Sequence, residues 1–147
     1  MRTTPALALA AALLAAGATG QAGAAPKPIT KTYTATAPLP DPTNYAPNAT
    51  YSVCGQTVPQ SFYVEPFKAP GVGKLKVEMS GFQGDWDLLI TDQKGAELGN
   101  SGGTQPADPP TETATVKVKK AGSTINIISC NWAGGPTATV KYTFTYA

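Results

Sequence analysis

Two acidic residues, Asp85 and Asp87, have a spacing that could support chemistry. They are two positions apart where a strand is predicted to start, so their carboxylates point to the same side of an extended chain. Trp86, Leu88 and Ile90 then point to the opposite side, which predicts that Trp86 lies in a hydrophobic core. Two like charges on one side of a strand need a partner.

A calcium ion is one partner that this acidic pair could have. Calcium binds about six to eight oxygen atoms from carboxylates, carbonyls and water. Asp92 is the third predicted ligand, with Asp108 or Glu112 as further candidates. In the alternative interpretation, Asp87 accepts hydrogen bonds from backbone amides of the adjoining turn while Asp85 is solvated. A glycosidase pair is a third interpretation, but no other feature of the sequence marks a cleft.

The composition excludes several classes of function. The 147 residues include no histidine, which is the usual general base and the commonest zinc ligand. The charge is nearly balanced, with 11 Lys and Arg against 9 Asp and Glu, whereas nucleic-acid binding and polybasic membrane anchoring need a strong positive excess. We therefore expect a protein that is not an enzyme and has no nucleic-acid partner.

The first 24 residues have the pattern of a secretory signal peptide. Arg2 precedes an unbroken run of Ala and Leu over residues 6–16, which matches a positive n-region followed by a short apolar h-region. The run is too short to span a bilayer. Small residues at 22–24 favour cleavage after Ala24. A retained anchor or buried helix is the alternative, but glycines interrupt the run early. We expect a secreted, extracellular protein with no membrane span after signal removal.

The chain has two cysteines, Cys54 and Cys130. In an exported protein an even number of cysteines indicates a disulfide, and two cysteines allow one intramolecular pairing. Such a bridge would join the start of the sandwich described below to its penultimate strand, and closing a loop of this length contributes about 4–5 kcal/mol in the chain-entropy model. An intermolecular bridge or a redox pair are the alternatives, although no CxxC spacing is present. We predict a structural disulfide.

The rest of the chain has the pattern of short β-strands. Residues 25–50 form a Pro-rich lead-in that forbids a helix, within which residues 29–37 are either an edge strand or an ordered lead-in. From residue 51 onwards, runs of β-branched and aromatic residues are separated by clusters of Gly, Pro, Asn and Asp. The predicted strands are 61–67, 74–79, 86–91, 112–119, 124–130 and 137–146.

Alternation within these runs predicts a fold. Leu75, Val77 and Met79 alternate with charged residues, and 112–119 and 137–146 alternate in the same way. Strands with one apolar face are typical of antiparallel sheets, and this number of them implies two sheets on a shared core. We predict an all-β protein: an antiparallel β-sandwich of jelly-roll type with about eight strands over residues 51–147. Residues 98–111 lack alternation and are predicted to be a mobile surface loop.

Several of these segments occur in a familiar order. Residues 84–92 are GDWDLLITD, residues 112–118 are ETATVKV, residues 125–127 are INI and residues 142–145 are YTFT. Together they resemble the bacterial pre-peptidase C-terminal (PPC) domain over roughly residues 58–146.

The resemblance implies a secreted jelly-roll sandwich with a non-catalytic role. That role is help with the secretion, folding or stability of a neighbouring protein, or adhesion to a matrix or polymer, and some members bind calcium. Asp85 and Asp87 are the two residues to which the resemblance assigns a possible role.

Trp132 and three lysines are further candidates for residues that contact a ligand or partner. Trp132 lies in a Gly-rich turn after Cys130, where its indole either stacks on a sugar ring or a partner surface, or packs on the disulfide. Lys117, Lys119 and Lys120 are interpreted as a solvated strand face and turn in which lysines protect a sheet edge.

We expect a non-catalytic exported accessory or binding module that acts on an extracellular protein or polysaccharide, with calcium as an optional structural ion. A carbohydrate-binding module is the alternative, for which Trp132 and the tyrosines would have to form a coplanar exposed strip. An enzyme that uses Asp85 and Asp87 would require a concave site with at least one carboxyl of perturbed pKa.

Overall fold

The computed structural model describes residues 25–41, 53–56, 58–102 and 109–147, which form eight strands and no helix. The strands are β1 (Ile29–Thr36), β2 (Phe62–Lys68), β3 (Gly73–Ser80), β4 (Gly84–Asp92), β5 (Glu97–Ser101), β6 (Thr111–Val118), β7 (Thr124–Gly134) and β8 (Thr137–Tyr146). The expected signal peptide, residues 1–24, lies outside the described residues. Within the described ranges, the chain has no helix that is long and apolar enough to cross a membrane.

The strands form two four-stranded sheets. Sheet A has the order β1-β8-β3-β6 and sheet B has the order β2-β7-β4-β5. Neighbouring strands are antiparallel throughout. The chain passes from one sheet to the other at every connection except the one between β4 and β5. This interleaving is the jelly-roll arrangement, so the predicted fold class is confirmed.

The main core lies between the two sheets. Leu75, Val77 and Met79 of β3 are fully buried, while Lys76, which lies between Leu75 and Val77, is exposed. Trp86 lies opposite them in sheet B and is also fully buried, and its indole N–H donates to the carbonyl of Gly135 at 3.1 Å. Burial of each large apolar side chain contributes roughly 1.5–3 kcal/mol. The inward faces predicted for β3, β4, β6 and β8 are confirmed.

β1 is an edge strand of sheet A. It pairs with β8 over its whole length, from Ile29 opposite Phe144 to Thr36 opposite Thr137. Its many threonines favour a strand because β-branched side chains fit a pleated surface. The described part of the Pro-rich lead-in therefore belongs to the sandwich, whose first strand begins at Ile29 rather than near residue 51.

β5 is the strand that the sequence did not predict. It lies in the region 98–111 that was expected to be a mobile loop, and the prediction is wrong for the part that Glu97–Ser101 occupies. The segment ELGNS has low β-propensity. It is extended because it forms a hairpin with β4, in which Ile90 lies opposite Gly99. Residues 103–108 of the predicted loop lie outside the described residues.

A second apolar cluster lies on the outer face of sheet B. Residues 53–56, which we call the covering segment, place Val53 and Cys54 over Leu89 and Ile128. All four side chains are buried, so β4 and β7 are buried on both faces at these positions. The predicted disulfide is confirmed: Cys54 is bonded to Cys130 of β7, with a Cα–Cα distance of 5.6 Å.

Candidate functional site

Asp85 is half-buried at the start of β4. Its Oδ1 atom is shielded from solvent and has no hydrogen-bond partner, which differs from the solvated carboxylate expected from the sequence. Burial disfavours the charged form and raises the pKa of Asp85 above its usual value. Asp87 is buried on the outer side of sheet B. The backbone of Gly102 lies close to its carboxylate, because a Cβ added to Gly102 would be 2.6 Å from Asp87 Oδ1.

Asp92 lies at the opposite end of β4. Its Oδ1 accepts hydrogen bonds from the backbone amides of Lys94 and Ala96, both at 2.8 Å, and this closes the turn into β5. Asp92 thus closes a turn with its carboxylate, and the similar role that the sequence suggested for Asp87 stays a prediction. At about 3.3 Å per residue, the length of β4 holds Asp92 far from Asp85.

The three predicted calcium ligands are therefore not brought together. Among the described residues no group of three or more Asp, Glu, Cys or His side chains could hold a metal ion. Asp108, named above as a further candidate, lies outside those residues. The described carboxylates do not fit a calcium site, because calcium requires about six oxygens or more that converge on one point.

Glu112 has a buried carboxyl group, although the sequence analysis named it only as a further candidate calcium ligand. It points inwards from β6, and the hydroxyl of Ser101 in β5 donates a hydrogen bond to it. The Ser101 oxygen in turn accepts a hydrogen bond from the Thr113 amide at 3.1 Å. Burial raises the pKa of Glu112, Ser101 lowers it, and the charge of Asp85 raises it again. The signal was present in the sequence, since Glu112 occupies an inward position of the alternating run in β6.

Trp132 does not present an open aromatic surface. It is the additional residue of a bulge in β7, where Asp85 and Trp86 lie opposite Ala133 and Asn131. The indole is half-buried and its Nε1 atom is shielded without a hydrogen-bond partner. No aromatic side chain in the described ranges is fully exposed. The described aromatic residues therefore do not form the coplanar exposed strip that a carbohydrate-binding module would need.

The outer face of sheet A is lined by hydroxyl groups, and we call it the threonine face. The face also carries Lys74, Lys76, Lys117, Lys141 and Glu78. The register brings side chains of all four strands into rows, and one row contains hydroxyl residues alone. That row is Thr34, Thr139, Ser80 and Thr111. The face was not predicted, although the repeated pattern Thr-x-Thr in β1, β6 and β8 is a signal for it.

A groove of about 440 Å³ lies at the end of the threonine face where β3 begins and β6 and β8 end. Val72 and Tyr146 contribute apolar surface to it, and Lys74, Lys117 and Lys119 contribute ammonium groups. We call it the lysine groove. A second groove, of about 390 Å³, lies between the β4–β5 and β6–β7 turns and has both acidic and basic residues in its lining. Neither groove includes Asp85, Asp87, Glu112 or Trp132.

Comparison with protein-family models gives no match for the chain, and comparison with curated proteins gives no significant match either. The resemblance to the PPC domain therefore rests on the sequence segments quoted above and stays a prediction.

Proposed function

We propose that the protein is a non-catalytic, exported binding or accessory module that uses a PPC-like sandwich as a scaffold and attaches through a sheet face to an extracellular protein or polysaccharide. The observation that carries this proposal is the difference between the two outer faces. The covering segment and the disulfide lie over sheet B, whereas the threonine face is polar and open to solvent. A large open face on a cross-linked scaffold is suited to attachment.

The scaffold is further fixed by a buried amide. Asn131 of β7 donates from its side chain to the carbonyl of Ala37 at 2.8 Å and to that of Gly135 at 3.1 Å. These bonds connect the segment that follows β1 to the turn that precedes β8. A surface that is already ordered loses little conformational entropy on binding, and this favours affinity.

The alternative carbohydrate-binding module would have to work without an aromatic strip. Trp132 is half-buried, and Tyr33 and Tyr63 face each other between the sheets with ring centroids 5.7 Å apart. Tyr45 and Tyr51 lie outside the described residues. The polar face of sheet A is therefore a more suitable binding surface for a polysaccharide than these aromatic rings are.

Two measurements test the proposal. Mass spectrometry of the exported protein should find a mature chain that starts after Ala24, and fluorescently labelled mature protein should bind saturably to an insoluble extracellular fraction, such as cell walls or matrix. Unlabelled protein should displace it, and bovine serum albumin should not. Retention of the chain inside the cell, or the absence of saturable binding to every extracellular fraction tested, would contradict the proposal.

A further inference from the structure

The lysine groove contains a pair of like charges that no described residue neutralises. Lys74 of β3 lies directly opposite Lys117 of β6, and both side chains are exposed. Like charges at directly opposite positions of neighbouring strands are destabilising. Within the described ranges, the ion pairs join Lys31 to Glu65 and Lys76 to Glu78, and none involves these two lysines. An anion between the two ammonium groups would remove the repulsion.

The floor of the lysine groove is apolar. Val72 is 50% exposed, and the Tyr146 ring packs edge-on against Phe144 with centroids 5.0 Å apart. Gly73 lets β3 approach β8 closely at this end of the sheet, because an added Cβ would lie 2.1 Å from the carbonyl oxygen of Thr145. The site therefore suits a ligand unit that has an apolar face and an anionic edge. A sugar ring that carries a carboxylate has both, since its C–H groups lie on the ring faces and its carboxylate projects from the edge.

The groove continues into the threonine face. The next row of that face towards its other end is Thr30, Thr143, Lys76 and Thr115. Rows repeat at about 6.6–6.8 Å along the strands, and strands are about 4.8 Å apart. Each threonine hydroxyl both donates and accepts, and its side chain is stiff at χ1, so ordering it against a ligand costs little entropy. A ligand that extends beyond the groove would thus meet further hydroxyl and ammonium groups at regular intervals.

The distribution of charge favours an anionic ligand on this side of the molecule. The threonine face carries four lysines and one acidic residue, Glu78. Sheet B instead carries Asp85, Asp87, Asp92 and Glu97 on β4 and β5. A polyanion is therefore attracted to sheet A and repelled from these strands of sheet B, which would orient the module as it binds.

We infer that the lysine groove binds an acidic polysaccharide of the uronate type. A uronate carboxylate lies between Lys74 and Lys117, its ring lies on Val72 and Tyr146, and neighbouring sugar units follow the threonine face. The inference rests on the proposed function, because it names the ligand class and the site of a module proposed to bind an extracellular partner.

The test is the binding of labelled oligogalacturonate to the mature exported protein, followed by fluorescence anisotropy. The double variant Lys74→Gln/Lys117→Gln should weaken binding by about tenfold or more. Val72→Asp, which places a carboxylate on the groove floor, should do the same. The control, Lys68→Gln/Lys94→Gln, removes two exposed lysines from sheet B and its turn and should change the affinity by less than about threefold. Melting curves verify that each variant is folded.

Three results would overturn the inference: equal losses in the two double variants, equal binding of neutral dextran, or complete displacement by single-stranded DNA at matched charge. The proposed function fails separately. If the protein binds an extracellular fraction but Lys74→Gln/Lys117→Gln binds that fraction as well as the wild type does, the groove is excluded while the binding module stands. If no extracellular fraction is bound, the module itself is contradicted.

Discussion

Sheet A and sheet B have the same number of strands and share one core, yet their outer faces differ. On sheet B the apolar residues Leu89 and Ile128 are buried beneath Val53 and Cys54. On sheet A the corresponding outer positions are mostly threonine and lysine, and they are exposed. The comparison shows how one sandwich can bury part of one outer face for stability and leave the other in contact with solvent.

Removing the disulfide should have the largest effect on this difference. Cys54→Ala/Cys130→Ala is expected to lower the free energy of unfolding by about 4 kcal/mol, because the unfolded chain loses a closed loop of 76 residues and the covering segment loses its attachment. Urea denaturation of the variant and of wild type measures the loss. A change below about 1 kcal/mol would mean that the covering segment is held by its packing alone.

Substitutions of Leu89 and Thr113 compare the outer faces of sheet B and sheet A more directly. Leu89→Ala should cost about 3 kcal/mol, because the side chain is fully buried under the covering segment. Thr113→Ala, at an exposed position of β6, should change stability by less than about 0.5 kcal/mol. Thermal and chemical denaturation give both values. Equal small effects would show that the outer face of sheet B is as open as that of sheet A.

Glu112 gives the sandwich a pH-dependent contribution to stability. Its pKa is raised in the folded state, so the folded protein binds more protons than the unfolded chain between the usual pKa of 4.5 and the raised one. Stability from this group is therefore greatest below that window and is lost as the pH rises through it. Glu112→Gln should therefore reduce the dependence of stability on pH, and it should raise the free energy of unfolding at pH 7 by roughly 1 kcal/mol.

Unfolding measured from pH 4 to pH 7 checks this expectation. Glu78→Gln is the control on the threonine face. The exposed carboxyl of Glu78 has a pKa lowered by Lys76, so the sign of its contribution is opposite, and its variant should not flatten the slope. A steeper fall in stability with pH in Glu112→Gln than in wild type would contradict the assignment.

Calcium should have the smallest effect. Because the carboxylates of Asp85, Asp87 and Asp92 do not converge, millimolar calcium should leave the melting temperature within about 1 °C of its value in a chelator. Magnesium at the same ionic strength is the control. A rise that is specific to calcium and reversed by the chelator would show that sheet B carries an ion site to which residues outside the described ranges contribute.

How well the structure could be predicted from the sequence also differs between the two sheets. Alternation in β3, β6 and β8 predicted inward and outward positions correctly, because the outer face of sheet A is in water. It gave no indication of how Leu89 and Ile128 are buried, because their cover comes from residues 53–56, which are distant in the chain. Periodicity reports a contrast between core and solvent, and it cannot reveal a second apolar layer supplied from elsewhere.

The candidate site was predictable in part. The disulfide followed from the presence of two cysteines, whereas the turn that Asp92 closes was not predicted, because such contacts depend on the local backbone conformation. The lysine groove was missed since its parts come from three strands that are neighbours only after the sheet has formed. Lys117 was recognised as exposed, but its position opposite Lys74 depends on register, which the sequence alone does not specify.

The position of the Cys54–Cys130 bond also has a consequence for the order of folding. The bond joins the covering segment to the outside of sheet B, and neither cysteine belongs to the apolar cluster between the sheets. The two-layer core can therefore assemble while both thiols are still reduced. We expect oxidation to follow as a late locking step, so that the chain is competent to fold before it meets an oxidant.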